Sequence, residues 1–108
     1  MESKLEIFEN VIITKKANVY FDGGVTSRTI NFPNGDMKTL GIIQPGEYQF
    51  DTGKKEIMEM LAGEVEVMLA GSNTWQRYVT GEIFEIPENS SFRIRTEQLS
   101  DYCCSFVD

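Results

Sequence analysis

Interruption is the rule along this chain. Apolar and β-branched runs of about four to eight residues are cut repeatedly by glycine or Asx-glycine steps: Asp22-Gly23-Gly24, Asn34-Gly35, Gly53, Gly63, Gly71-Ser72-Asn73 and Gly81. Each break is expected to supply the positive φ of a tight turn, and Asn34-Gly35 is the strongest hairpin signal among them. The runs between the breaks predict strands over 18–21, 26–32, 37–44, 47–51, 56–62, 64–70, 82–86, 91–96 and 101–107. No segment carries the 3.6-residue period of a long helix. Short strands at such intervals specify an all-β chain, either a barrel or a sandwich.

Two runs reveal what their faces meet. Carboxylates alternate with valines in Glu64-Val65-Glu66-Val67, and arginines alternate with apolar residues in Phe92-Arg93-Ile94-Arg95. Such strands bury one face and wet the other. A length of 108 residues suits one hydrophobic core, so residues 1–108 are read as a single domain in which 1–12 form a loosely ordered N-terminal segment. No internal repeat, low-complexity tract or linker interrupts it.

Much familiar chemistry is closed to this composition. The sequence contains no histidine, which removes a histidine base, a Ser-His-Asp triad and a His-ligated metal from the chain's own repertoire. Cys103 and Cys104 are neighbours, and a bridge between them would strain the intervening peptide, so both are expected as free buried thiols. Adjacent strand residues point to opposite faces, which also argues against a thiolate zinc site. Ten basic against seventeen acidic residues leave a net charge of −7, and no nucleic-acid partner is expected. No apolar run approaches the roughly 20 residues that span a bilayer, and MESKLEIFEN lacks the apolar centre of a secretory signal. A cytoplasmic protein without membrane contact is the expectation. Neither the lysine-bearing phosphate loop nor the glycine-rich dinucleotide fingerprint is present.

Two glycine-anchored segments, Gly46-Glu47-Tyr48 onward to Glu56 and Gly63, and Gly81-Glu82-Ile83-Phe84-Glu85-Ile86-Pro87, resemble the paired motifs of the cupin superfamily. Metal-dependent cupins carry histidines where this chain has Thr52, Lys54 and Phe92, and only the glutamate of their ligand set survives, as Glu56. A closer resemblance, spanning about Val25 to Phe106, is to the pyrimidine/purine nucleoside phosphorylases. It rests on SRTINFPNGDMKTLGIIQPGEYQF, on EIMEMLAGEVEVMLAG with the following Trp75, and on DYCCSF near the end. The resemblance implies a cupin-type β-barrel, the jelly-roll form of a double-stranded β-helix. It also implies phosphorolysis of many purine and pyrimidine nucleosides to free base and ribose 1-phosphate, with inorganic phosphate as co-substrate and no metal or organic cofactor.

That chemistry requires an anion site, an acid for the departing base and a dry cavity. Arg28, Lys38 and Arg95 are the candidate phosphate-binding cations; ordinary outward-facing strand charges would look the same. Glu56 is the candidate acid, because its motif position points into the barrel, where desolvation raises a carboxyl pKa. A structural acceptor held by backbone N–H groups is the alternative for Glu56. Tyr48, Phe92 and Tyr102 offer flat faces for bases, as does Phe50, and Met58 offers an adaptable thioether on the strand face of Glu56; core packing is the competing role for each. Trp75 is read as a hairpin anchor. A non-catalytic cupin binding a small metabolite is the main rival, and a metal-dependent cupin drawing on Glu56, Cys103 or Cys104 is a remote one. The many edge-capable strands of a short chain predict a homodimer.

Overall fold

A computed structural model describes residues 6–108. Eleven strands follow one another in these residues: β1 (Ile12–Ile13), β2 (Asn18–Tyr20), β3 (Val25–Asn31), β4 (Met37–Ile43), β5 (Gly46–Asp51), β6 (Lys55–Ala62), β7 (Glu64–Leu69), β8 (Gln76–Val79), β9 (Ile83–Ile86), β10 (Ser91–Thr96) and β11 (Ser100–Val107). Among the described residues the helical content is one 3-10 turn over Phe21–Gly23. The all-β reading is therefore met. Part of the expected loose segment, residues 1–5, lies outside the described residues; beyond it Phe8 packs edge-on against Phe32 at 5.0 Å, and β1 pairs with β3.

The strands form two antiparallel sheets. One has the order β1-β3-β4-β11-β6-β9, with β2 also on β3; the other has the order β5-β10-β7-β8. Among the described residues no ladder joins the two sheets, so they face each other as a sandwich rather than closing into a continuously hydrogen-bonded barrel. Side chains cross the gap instead: Tyr20 meets Phe50 edge-on at 5.5 Å, and Phe21 lies 5.2 Å from Tyr48.

Alternation decides the core. Val65 and Val67 are buried while Glu64 and Glu66 stay half-exposed, and Phe92 and Ile94 are buried beside the outward Arg93 and Arg95. These residues meet Val25, Ile43, Met58, Met60, Phe84, Ile86, Tyr102 and Cys104 of the larger sheet in one cluster. Burying each large side chain contributes roughly 1.5–3 kcal/mol, which outweighs the weaker edge pairings.

Two strands were not legible as strands. The run Gln76–Val79 lacks alternation, and it is held by a partner on β7 and one on the facing sheet: Arg77 Nε lies 2.7 Å from Glu64 Oε2, and Tyr78 stacks on Phe84 of β9 at 4.1 Å. The short β1 exists through its pairing of Ile12 with Asn31 and Ile13 with Ile30. The Asn34-Gly35 turn connects β3 to β4 as expected, with Gly35 at φ +95° and its N–H donating to the Phe32 carbonyl at 3.0 Å. Gly53 departs from expectation, since its φ is not positive; across from it Asn89 adopts φ 50° and donates its N–H to the Gly53 carbonyl.

Candidate active site

Between the sheets lies a cavity of about 300 Å³, at the low end of small-molecule sites. Its position follows from the period of two. On β6 the inward residues are Glu56 and Met58; on β11 they are Tyr102, Cys104 and Phe106; on β3 and β4 they are Val25, Ser27, Thr39 and Ile43. The smaller sheet contributes Phe50, Phe92 and Ile94, and Tyr20 closes one side. Asp51 and Gly53 stand at the rim, where the buried Thr52 donates its hydroxyl to the Pro87 carbonyl at 2.7 Å and accepts the Ser90 N–H at 2.8 Å.

Glu56 is half-buried, and the Cys104 thiol donates to its Oε1 at 3.6 Å. Burial lifts the Glu56 carboxyl above its ordinary range, and the thiol contact draws it partly back. Cys104 and Tyr102 are both pushed well up, chiefly by burial, so each stays protonated and neutral near neutrality. Cys103 points to the other side of the sheet, and both cysteines are free, as the adjacency argument expected. Among the described residues no three Cys, Asp or Glu side chains gather as metal ligands; Glu56 and Cys104 make two, short of the three protein ligands of a catalytic zinc site.

The structure brings together Glu56, Met58, Phe92 and Tyr102 as cavity lining. Tyr48 is not among the lining residues; its hydroxyl donates to the Gln44 carbonyl at 2.9 Å, and its ring packs against Phe21. The three candidate phosphate cations all lie outside the cavity. Arg28 donates from Nε to the Lys15 carbonyl at 3.1 Å; Lys38 sits over the rings of Phe8 and Phe32 at 5.4 and 5.6 Å. Arg95 pairs with Glu66 at 2.8 Å and lies 3.8 Å from the Trp75 ring centroid, beside a groove that also carries Glu47, Glu64 and Glu97. Trp75 thus meets a cation at the hairpin it follows.

Each of those cations stands next in sequence to a residue that does line the cavity: Ser27, Thr39 and Ile94. Parity along the strand separates them. Sequence reasoning passed over Ser27 and Thr39, although Val25-x-Ser27 and Thr39-x-Gly41-x-Ile43 continue the inward set. Among the described residues the lining includes the carboxylates of Asp51 and Glu56 and no lysine or arginine.

The sequence family described as pyrimidine/purine nucleoside phosphorylase matches residues 15–106. A pyrimidine/purine nucleoside phosphorylase from Geobacter sulfurreducens is 59% identical over 100 residues, covering 93% of this chain and 96% of the relative. One from Hydrogenovibrio crunogenus is 54% identical over 101 residues, covering 94% and 97%. Among solved structures, a protein of unknown function from Acinetobacter sp. ADP1 superposes with a TM-score of 0.91 at 39% identity, covering 94% of this chain and 98% of the other. An RmlC-like cupin from Shewanella frigidimarina reaches 0.67 at 16% identity over 84% and 81%, a likeness of fold alone.

Proposed function

The chain belongs to the pyrimidine/purine nucleoside phosphorylase family, and from that premise we propose that it cleaves nucleosides in the cavity between its sheets, with Glu56 as the acid. In this reading an oxygen of inorganic phosphate bonds to C1′ of the sugar while the C1′–N bond breaks. The bonding pair leaves with the base, which takes a proton from the Glu56 carboxyl, and the products are free base and ribose 1-phosphate. The single observation behind it is a carboxyl in a largely apolar enclosure, without a cation among its described lining neighbours and lifted by burial. Such a group stays protonated to higher pH than an exposed glutamate, as a proton donor requires.

Met58 and Phe92 supply adaptable and aromatic contacts, which every base satisfies through its π-face, and Tyr102 completes the nucleoside lining with its hydroxyl. Tyr48, absent from the lining, is given no substrate contact in this reading. Phosphate is met at the exposed rim by Gly53 and the neighbouring Lys54, whose ammonium lies 3.1 Å from Asp108. The reaction so written calls on no metal or organic cofactor. We read the two sheets as the halves of a cupin barrel, supported by the cupin likeness and by the aromatic bridges between sheets. Exposed Ile12, Ile13 and Ile83 on short strands support a homodimer, which light scattering tests. Among the described residues no helix is long and apolar enough to cross a membrane, and a cytoplasmic site of action is part of the proposal.

The test is release of hypoxanthine from inosine and uracil from uridine by purified protein, with and without phosphate, before and after chelator treatment. Phosphate-dependent, chelator-resistant release of both bases is expected, and release that ignores phosphate would refute phosphorolysis.

A further inference from the structure

We propose that the cavity is polarised: the hydroxyl-bearing wall of Ser27, Thr39 and Tyr102 takes the sugar of a nucleoside, and the aromatic wall of Tyr20, Phe50 and Phe92 takes the base. The inference rests on the reading of this cavity as the nucleoside site and adds an orientation and a basis for sugar selectivity.

The first support is polar residues where an inert wall would be apolar. Ser27 and Thr39 are 4% and 8% exposed, on inward positions of β3 and β4. Buried hydroxyls are costly unless partnered. The Asn18 amide spends its two hydrogens on this side, donating from Nδ2 to Ser27 Oγ and to Thr29 Oγ1, each at 3.1 Å. An oxygen that accepts in this way keeps its own hydrogen, so Ser27 is held as a donor and further acceptor. Tyr102 adds a third hydroxyl, whose position is set by Gly41: a Cβ there would stand 2.6 Å from the phenolic oxygen. Burial keeps this phenol protonated. A furanose offers several adjacent hydroxyls that both donate and accept, which is the complement of such a wall.

The aromatic wall, made by Phe50 and Phe92 of the smaller sheet with Tyr20 of β2 closing its side, has different chemistry. Phe50 and Phe92 stack with centroids 5.7 Å apart at 24°, and Tyr20 meets Phe50 edge-on. The neighbouring Phe21 and Asp22 hold left-handed conformations, φ 52° and 55°, which non-glycine residues seldom adopt. That turn follows Tyr20 directly and sets Phe21 edge-on to Phe50 at 5.4 Å. Planar faces bind purines and pyrimidines without reading their edges.

The test measures kcat/KM for uridine, 2′-deoxyuridine and inosine in wild type, Ser27→Ala, Thr39→Val and Phe50→Leu, with circular dichroism to confirm folding. Ser27→Ala and Thr39→Val are each expected to lower uridine turnover about tenfold, the scale of one lost hydrogen bond, and to bring the uridine to 2′-deoxyuridine ratio toward one. Their inosine to uridine ratio should hold. Phe50→Leu should change the inosine to uridine ratio and spare the sugar ratio. Folded hydroxyl variants with unaltered sugar ratios would overturn the polarity while leaving phosphorolysis standing. A wild-type protein that turns over no nucleoside would overturn phosphorolysis and the polarity together.

Discussion

Glu56 and Glu66 lie on strands of the two facing sheets, yet they meet opposite surroundings. Glu66 points outward, 2.8 Å from Arg95, whose guanidinium lies over Trp75. On the same face Arg77 holds the Glu64 carboxyl below its ordinary range through their hydrogen bond. Glu56 points inward, has a thiol for its hydrogen-bond partner, and is lifted by burial. The outer charges are paired with one another under water, where ion pairs contribute little and bind little else. The inner carboxyl has a thiol and no cation among its described lining neighbours, the setting that the proposed proton donor requires.

The sharpest attempt to break this contrast is Glu56→Gln. Loss of the acid is expected to lower kcat by about 10²- to 10⁴-fold, measured by steady-state base release. The pH dependence has the same origin. A carboxyl with a raised folded-state pKa supplies its proton below that value, so wild-type turnover should fall as pH rises through it. Tyr102 and Cys104 remain neutral across that range. The stabilisation linked to the Glu56 proton is fully present below the unfolded carboxyl pKa and is lost as pH rises through the folded one. Thermal melts should therefore show Glu56→Gln gaining on the wild type toward neutral pH.

Next in size is Gly41→Ala. The new methyl would crowd the Tyr102 hydroxyl and the Thr26 carbonyl on the inner face, at a cost of about 1–3 kcal/mol in urea unfolding. A smaller effect is expected for Lys54→Ala, which should raise the KM for phosphate roughly tenfold, the loss of one charge-assisted hydrogen bond, with the nucleoside KM unchanged. Smallest is Arg95→Ala on the outer face. Its partly exposed pair with Glu66 predicts a loss of about 1 kcal/mol or less and an unchanged phosphate KM. A large rise in phosphate KM there, or in Arg28→Ala or Lys38→Ala, would erase the distinction between the two faces.

Strands wet on one side were readable because their alternation carries the answer: β7 and β10 bury the valines, Phe92 and Ile94 that the pattern nominated. Gln76–Val79 was not, since a polar run becomes a strand only when Glu64 and Phe84 are there to meet it. Motif position pointed Glu56 inward, and it lines the cavity. Ser27 and Thr39 escaped notice because a hydroxyl residue beside a cation reads as surface until the sheet shows which of the two faces inward.

From residue types and turn spacing alone came the all-β class, the exclusion of histidine chemistry and the family resemblance, because these depend on which side chains exist and how often the chain turns. Tertiary structure alone decided that Arg28, Lys38 and Arg95 face outward while Ser27, Thr39 and Ile94 line the cavity. It likewise decided that one glutamate is paired with a cation and another with a thiol. The physical reason is that desolvation belongs to a place and not to a residue: a carboxyl is a solvated ion-pair partner on one face of a sheet and holds its proton to higher pH on the other.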